Sequence, residues 1–383
     1  MPRTILSLSL VMALTACGAD RAATTADAPD AGAASFFSAP VVGGDALLPV
    51  AARSAALRRV DFSTGNMRGE PVCVRASDLR PIAPLVAPSL AAMRQGPVAY
   101  TQAPRDYARA VNDAAFRVLL TEDDALAAAA VASLRAHADA GAWLPADRSW
   151  TASSVVIEGM GPLLPAWQIL RQARGTSAAD RDAIDGWIAR LAVLADERES
   201  ENNLATYRGA NDMLLGLMTG DRARHARGRA AVLAQLGAMR PDGSFPLEVE
   251  RGRGALNNQS RNIGFLVYAA DIAASDGDDL WNAEVDGKSI RTAIRFFLAA
   301  AEDNALVDGY AAANVRPPDD AASFRANDQV DPFNSAMRAW AISFTERFPR
   351  EPLSTELRAA TRLGTRVTSD VTGGNSSCYA SRI

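Results

Sequence analysis

Apolar residues recur every three or four positions along most of the chain from about residue 81, which is the spacing of helices with one buried face. Pro104 is expected to open the first of these helices, and Ser177, three residues before Asp180, to form a capping box. The pattern predicts helices at Asp106–Leu120, Glu122–Ala140, Val155–Ala173, Asp180–Asp196, Asn203–Thr219, Ala223–Arg240, Asn262–Ala274, Ile290–Ala301, Ser335–Phe348 and Thr355–Leu363.

Hardly any segment alternates apolar and polar residues with period two, so the pattern argues against strands. About ten to twelve helices joined by short loops predict an all-α body built from antiparallel helix hairpins. An (α/α) toroid, or incomplete barrel, is one architecture made this way. A globular bundle or a superhelical repeat fits the same periodicity. We expect residues 46–383 to form a single domain.

The first residues have the pattern of an export signal. Arg3 precedes a short apolar run that ends in Leu14-Thr15-Ala16-Cys17. This tetrad resembles a bacterial lipobox, which implies a lipoprotein signal peptide over residues 1–16 and a lipid on Cys17. An ordinary secretory signal is the alternative. Gly18 rather than Asp follows the cysteine, so we expect a periplasmic protein tethered to the outer membrane.

Residues 17–45 are rich in Ala, Asp, Gly and Thr, which predicts a flexible tether. Cys73 and Cys378 then remain as an even pair in an oxidising compartment, where a disulfide is expected. Two unpaired thiols are the alternative.

Composition narrows the class of partner. The 383-residue chain has a formal net charge of −4, which argues against nucleic acid as the ligand.

The two histidines, His137 and His225, lie in alanine-rich helices, and His225 is expected at the surface. No zinc site or phosphate loop is predicted, and Asp276–Asp279 has the composition of an acidic turn. We therefore expect no metal and no cofactor.

Polar side chains concentrate in two segments. Residues 201–208 contain Asn202, Asn203, Tyr207 and Arg208, and residues 242–261 contain Glu248, Arg251, Asn258 and Gln259 among others. Amides supply both hydrogen-bond donors and acceptors, and arginine supplies a planar fork for carboxylates, so the pair of segments suits an acidic polar ligand. For each residue alone, helix capping or a solvated loop explains the pattern as well.

These two segments resemble the motif regions of the alginate (mannuronate) lyases. Residues 201–221 are similar to the family's Asn-Asn-His region, and Asp242–Leu256 to its Asp-Gly-x-x-Pro-Leu-Glu-Leu region, which is followed by Arg and, seven residues later, Tyr. The resemblance covers about residues 80–350 in helical layout. It implies an (α/α) toroid and β-elimination on a uronate polysaccharide, with no required metal.

The resemblance also implies residue roles. The family Asn and Arg, which neutralise the sugar carboxylate, correspond to Asn203 and Arg251. The positions of the proton-transferring His and Tyr are occupied by Leu204 and Asn258. Tyr207, three residues after Leu204, is the replacement base that we expect, although a buried packing role is the alternative. Asn202, Arg208, Asn258 and Gln259 are expected to bind substrate.

Three functions remain open from the sequence. The first is a β-eliminating polysaccharide lyase acting on an alginate-like or glucuronan-like polymer. The second is a lyase-like lipoprotein that has lost catalysis and binds an acidic polysaccharide. The third is an (α/α) glycoside hydrolase using two of Glu201, Glu248 and Glu250. In each case a monomer is expected.

Overall fold

The computed structural model describes Phe37 and residues 50–57, 97–144, 150–196, 200–314 and 335–361. The predicted signal peptide, almost all of the tether, Cys17, Cys73 and Cys378 lie outside these residues. Within them the secondary structure is helical, with two isolated β-bridges and no strand. Among the described helices, none is both long enough and apolar enough to cross a bilayer.

The α-helices of the described residues are α1 (Val50–Leu57), α2 (Pro97–Thr121), α3 (Asp124–Ala140), α4 (Trp150–Gln172), α5 (Ala178–Asp196), α6 (Asn203–Thr219), α7 (Arg222–Ala238), α8 (Pro246–Val249), α9 (Ala255–Ser275), α10 (Ile290–Glu302), α11 (Ala305–Ala311), α12 (Ser335–Arg347) and α13 (Pro352–Thr361).

The helices fall into an inner and an outer set. In α6 and α9 most residues are buried, whereas α3, α5 and α7 bury one face only. The inner helices α2, α4, α6, α9 and α12 pack each against the next, and α5, α7 and α10 lie against members of this row. This alternation of an inner and an outer helix is the hairpin arrangement of an (α/α) toroid.

Helix ends follow the local sequence signals. Asn202 caps α6, accepting a hydrogen bond from the Leu204 N–H at 3.1 Å, and Gly220 ends the helix at φ +74°. The predicted Ser177 capping box is present: the Asp180 N–H donates to the Ser177 hydroxyl at 3.1 Å, and the Ser177 N–H donates to Asp180 Oδ2 at 3.4 Å. Local chemistry therefore fixes where α5 and α6 begin.

Several predicted boundaries are wrong, and two of them have a clear physical reason. Pro104 lies inside α2, which begins at Pro97. Proline inside a helix costs about 3 kcal/mol, and the packing of α2 on α4 must outweigh that cost. Helix α9 begins at Ala255 rather than Asn262. The side-chain amides of Asn258 and Gln259 form hydrogen bonds with other elements, and the backbone of both residues is helical.

Candidate functional site

The N-terminus of α6 meets the start of α9. The side-chain amide of Asn203 donates to Asn258 Oδ1 at 3.5 Å, and Arg251 Nη1 donates to the same oxygen at 3.2 Å. Asn258 Nδ2 in turn donates to the Gly254 carbonyl at 2.9 Å. We call Asn203, Arg251 and Asn258 the amide–guanidinium cluster. Residues some fifty positions apart in sequence thus form one hydrogen-bonded group.

Exposure within the cluster is graded. Asn203 is 3% and Asn258 6% exposed, whereas the Arg251 side chain is 33% exposed. The two amides form a buried base that holds the guanidinium, and part of the guanidinium side chain stays open to solvent. A partly exposed guanidinium group is one that an anionic ligand can reach.

Glu248 lies beneath the cluster and anchors it. Its Oε1 accepts a hydrogen bond from the Asn203 backbone N–H at 2.6 Å, and its Oε2 lies 4.0 Å from Arg251 Nη1. Glu248 is 1% exposed, and Oε2 accepts no hydrogen bond from any described residue. From the sequence alone, Glu248 is a candidate only for a catalytic acid of a glycoside hydrolase. Its position after Pro246 in the motif segment was the available signal for a role beside Asn203.

The environment of Glu248 sets its protonation. Burial raises the pKa of its carboxyl from the ordinary 4.5 to about 7. The Asn203 N–H and the charges of Arg251 and Arg261 act in the opposite direction. Protonation of Glu248 near neutral pH therefore changes the charge directly below Arg251.

Tyr207 is in the core, and the prediction that it acts as the base is wrong. The residue is 0% exposed, and its ring stacks on Phe265 with centroids 4.0 Å apart. Its hydroxyl lies so close to Gly161 of α4 that a Cβ there would overlap it. A phenol enclosed between α4 and α9 has no access to a bound sugar, so Tyr207 is a packing residue.

Gln259 is also structural rather than a ligand for substrate. It is 0% exposed, accepts from the Phe245 N–H and donates to the Gly243 carbonyl, each at 2.9 Å. These two bonds fix the turn that precedes Arg251. The prediction that Gln259 contacts substrate is therefore corrected.

Asn202 and Arg208 are not brought into the cluster by any described contact. Asn202 uses its side chain as the α6 cap and also accepts from the Ser200 hydroxyl at 2.6 Å. Arg208 lies near Asp212. Burial, together with the charge of Asp196, raises the pKa of the Asp212 carboxyl to about 6, and the charges of Arg224 and Arg208 only partly oppose this rise. Both residues retain partial exposure, but their described contacts are with the protein.

The remaining predictions concern histidines and metals. His225 is buried at 7% exposure, contrary to expectation, and its Nδ1 donates to the Met213 carbonyl at 3.0 Å. Asp276 and Asp278 of the acidic turn pair with Arg222 and Arg229. Within the described residues, no group of three or more His, Cys, Asp and Glu side chains could hold a metal ion.

The fold is an (α/α) toroid, and comparisons with known proteins agree with it. The alginate lyase family model matches residues 98–306, over half of the chain. The protein therefore belongs to the alginate lyase family. This confirms the resemblance predicted from the two motif segments.

Solved structures confirm the fold. Alginate lyase A1-III from Sphingomonas species A1 is 20% identical, with a TM-score of 0.68 over 90% of this chain and 99% of that one. A variant of alginate lyase A1-III complexed with tetrasaccharide is 18% identical, with a TM-score of 0.69 over 88% and 95%. An alginate lyase from Bacteroides ovatus, at 16% identity, has a TM-score of 0.52 over 73% of this chain and 75% of that one.

A curated relative also shares part of the sequence. A polysaccharide lyase from Stenotrophomonas maltophilia (strain K279a) is 33% identical over 108 residues. The match covers 27% of this chain and 32% of that relative, so the chain matches about a third of the relative's length.

Proposed function

We propose that this protein is a polysaccharide lyase that cleaves a uronate-containing acidic polysaccharide, alginate-like or glucuronan-like, by β-elimination. The observation that carries the proposal is the amide–guanidinium cluster, in which Asn203 and Arg251 converge on Asn258. Family membership supports the same class of reaction.

The first requirement of β-elimination is that the uronate carboxylate be neutralised, and the amide–guanidinium cluster has the groups to do this. The C5 proton of a uronate becomes acidic when the adjacent carboxylate is neutralised, because negative charge develops on that group as the proton leaves. Arg251 supplies positive charge and a planar donor fork, and the Asn203 amide supplies a neutral donor. The pair then stabilises the anion formed when C5 loses its proton. Breakage of the C4–O4 bond gives a C4–C5 double bond, and O4 takes up a proton.

The proton transfers use groups other than the family's usual pair. Leu204 is apolar and Asn258 does not titrate, and Tyr207 is enclosed in the core. In this proposal a residue at another position, or a water molecule held at the site, takes the C5 proton and protonates O4.

The substitutions at Leu204 and Asn258 favour a second candidate function. A chain that keeps the carboxylate-binding pair but lacks both proton-transferring residues is suited to hold an acidic polysaccharide without cleaving it. A glycoside hydrolase gains less support. Glu248 is 1% exposed and therefore closed to a substrate, and Glu250 is held in an ion pair with Arg240 at 2.5 Å.

We further propose that the protein acts in the periplasm as an outer-membrane lipoprotein, anchored through Cys17. The lipobox-like tetrad supports this location. Within the proposal, the tether of residues 17–45 keeps the helical domain beside the membrane and within reach of exported polymer.

The test is incubation of the purified protein with a panel of uronate polymers while the ultraviolet absorbance of the 4,5-unsaturated product is followed. We expect the wild type and Arg253→Ala to form this chromophore and Arg251→Ala to lose it. Arg253 is the matched control because it lies two residues away and is exposed.

Each result selects one function. Binding of a polymer without the chromophore would favour the non-cleaving candidate. New reducing ends without the chromophore would favour hydrolysis. Equal activity of Arg251→Ala and the wild type would contradict the role of the cluster.

A further inference from the structure

A second group of charged side chains joins α2, α4 and α9. Arg261 Nη2 donates to Glu158 Oε1 at 3.0 Å, and Arg105 forms an ion pair with Glu158 Oε2. Two guanidinium groups thus share one carboxylate, and the three residues carry a formal charge of +1. We call them the Arg105–Glu158–Arg261 group.

This group lies next to the amide–guanidinium cluster. Arg261 follows Asn258 by three residues on α9, so both side chains lie on one face of the helix, about one turn apart. Arg251 Nη1 lies 4.0 Å from Glu248 Oε2, and the charge of Arg261 also lowers the pKa of this carboxyl. Three arginines therefore lie around this end of α9, with Glu248 beside Arg251 and Glu158 between Arg261 and Arg105.

Solvent reaches the arginines more than the acid. The Arg105 and Arg261 side chains are 29% and 35% exposed, whereas that of Glu158 is 11% exposed. Arginine has five N–H donors, and one carboxylate cannot occupy those of two guanidinium groups. The group consequently has donors and net positive charge for a further anion.

We propose that the Arg105–Glu158–Arg261 group is a second carboxylate-binding subsite, which receives the uronate next to the one held by Arg251. This proposal rests on the proposed function and narrows its substrate to polymers that carry uronates on neighbouring sugars. Both guanidinium groups already bind one carboxylate, that of Glu158.

The experiment compares two ligands of equal length by isothermal titration calorimetry. One is a hexasaccharide of uronates only, and the other alternates uronate with neutral sugar. The wild type is expected to bind the uniform ligand about tenfold more tightly or better, because charge-assisted hydrogen bonds to the second carboxylate are lost with the alternating one. Elimination need not occur for this comparison, so it applies equally to a non-cleaving protein.

Two variants assign the preference to the subsite. Arg261→Gln is expected to weaken binding of the uniform ligand about tenfold and to leave the affinity for the alternating ligand unchanged. Arg174→Gln is the matched control, because Arg174 forms a comparable ion pair with Asp124 at 2.5 Å, with both side chains about half exposed. It is expected to behave as the wild type. Arg105→Gln provides the same test if Arg261→Gln does not fold.

The outcomes separate this proposal from the function on which it rests. If the wild type binds both ligands equally, the second subsite is overturned and the proposed function stands. The same holds if Arg261→Gln and Arg105→Gln fold and keep the full preference, or weaken both ligands alike. If the wild type binds neither ligand, both proposals are overturned.

Discussion

At the scale of single residues, the protonation of Glu248 links pH to stability. Burial raises the pKa of this carboxyl from 4.5 in the ordinary state to about 7 in the folded protein. The folded state therefore binds more protons than the unfolded state between these values, and the contribution of Glu248 to the free energy of unfolding falls as pH rises through this window. The change is on the order of 3 kcal/mol, and it is complete above the folded pKa.

A glutamine at this position removes the titration and keeps an acceptor for the Asn203 N–H. We expect Glu248→Gln to lose less stability than the wild type between pH 5 and pH 8, measured by urea unfolding at several pH values. Glu250→Gln is the matched control, because Glu250 lies in the same segment and pairs with Arg240. Its pH dependence should follow that of the wild type. An unchanged slope in Glu248→Gln would contradict the assigned protonation.

The enclosed position of Tyr207 gives a second prediction. Tyr207→Phe keeps the ring that stacks on Phe265 and removes only the hydroxyl. We expect an unchanged affinity for an oligouronate and an unchanged elimination rate, with a loss of about 1 kcal/mol in the free energy of unfolding. Rates measured from pH 6 to pH 10 check this. A folded variant that binds substrate but no longer eliminates would restore Tyr207 as the base.

The sequence could predict which segments carry the site but not which side chains face it. Asn203 and Arg251 meet, as expected from the two motif segments. Tyr207 and Gln259 stand in the same segments, yet their side chains pack in the core. The direction of a side chain on an inner helix depends on its neighbours in the fold, and Glu158 reaches Arg261 from 103 positions away in the chain. No local pattern encodes that contact.

At the scale of helices, glycines allow α6 and α7 to pack closely. A Cβ on Gly228 of α7 would overlap the Gly209 carbonyl oxygen of α6 and lie 2.8 Å from the Met213 nitrogen. These neighbours are backbone atoms, which a rotamer change cannot move. We expect Gly228→Ala to destabilise the protein by about 1–3 kcal/mol or more, although alanine is the better helix former. Thermal unfolding measures the change.

Gly186 provides the matched helix glycine. A Cβ added there would meet only Arg190 Nη1, at 3.8 Å, so Gly186→Ala should leave stability unchanged or raise it by up to about 1 kcal/mol. If both substitutions had the same effect, close packing of α6 on α7 would not be the reason for glycine at Gly228.

Helix periodicity predicted the existence of the helices better than their ends. The bounds Asn203–Thr219 agree with α6, where a capping Asn and a terminal Gly mark both ends. Helix α9 begins seven residues before its predicted start, because its polar first turns look like a loop until the contacts of Asn258 and Gln259 are known. A boundary set by tertiary hydrogen bonds has no signal in the local sequence.

At the scale of the whole molecule, net charge and site charge have opposite signs. The chain has a formal charge of −4, yet the proposed ligand is a polyanion. Screening limits the reach of surface charges to about 8 Å at physiological ionic strength, so the local arginines rather than the net charge govern binding.

The all-α class of the fold follows from the helical periodicity of the sequence alone. Closure into a toroid depends on which helices pair, and only the family resemblance predicted it.

The location of the molecule gives the last prediction, which rests on the lipobox-like tetrad before Cys17. Lipid chains on this residue would hold the protein at a membrane, since each buried CH₂ contributes about 0.8 kcal/mol. We expect the full-length protein, expressed in a bacterial host, to fractionate with membranes and to incorporate labelled fatty acid. Cys17→Ser should remove the label and release the protein from the membrane fraction. Cys73→Ser, the matched control, should stay membrane-bound and labelled, because Cys73 lies outside the tetrad. A Cys17→Ser variant that remained in the membrane fraction would show that another segment holds the protein there.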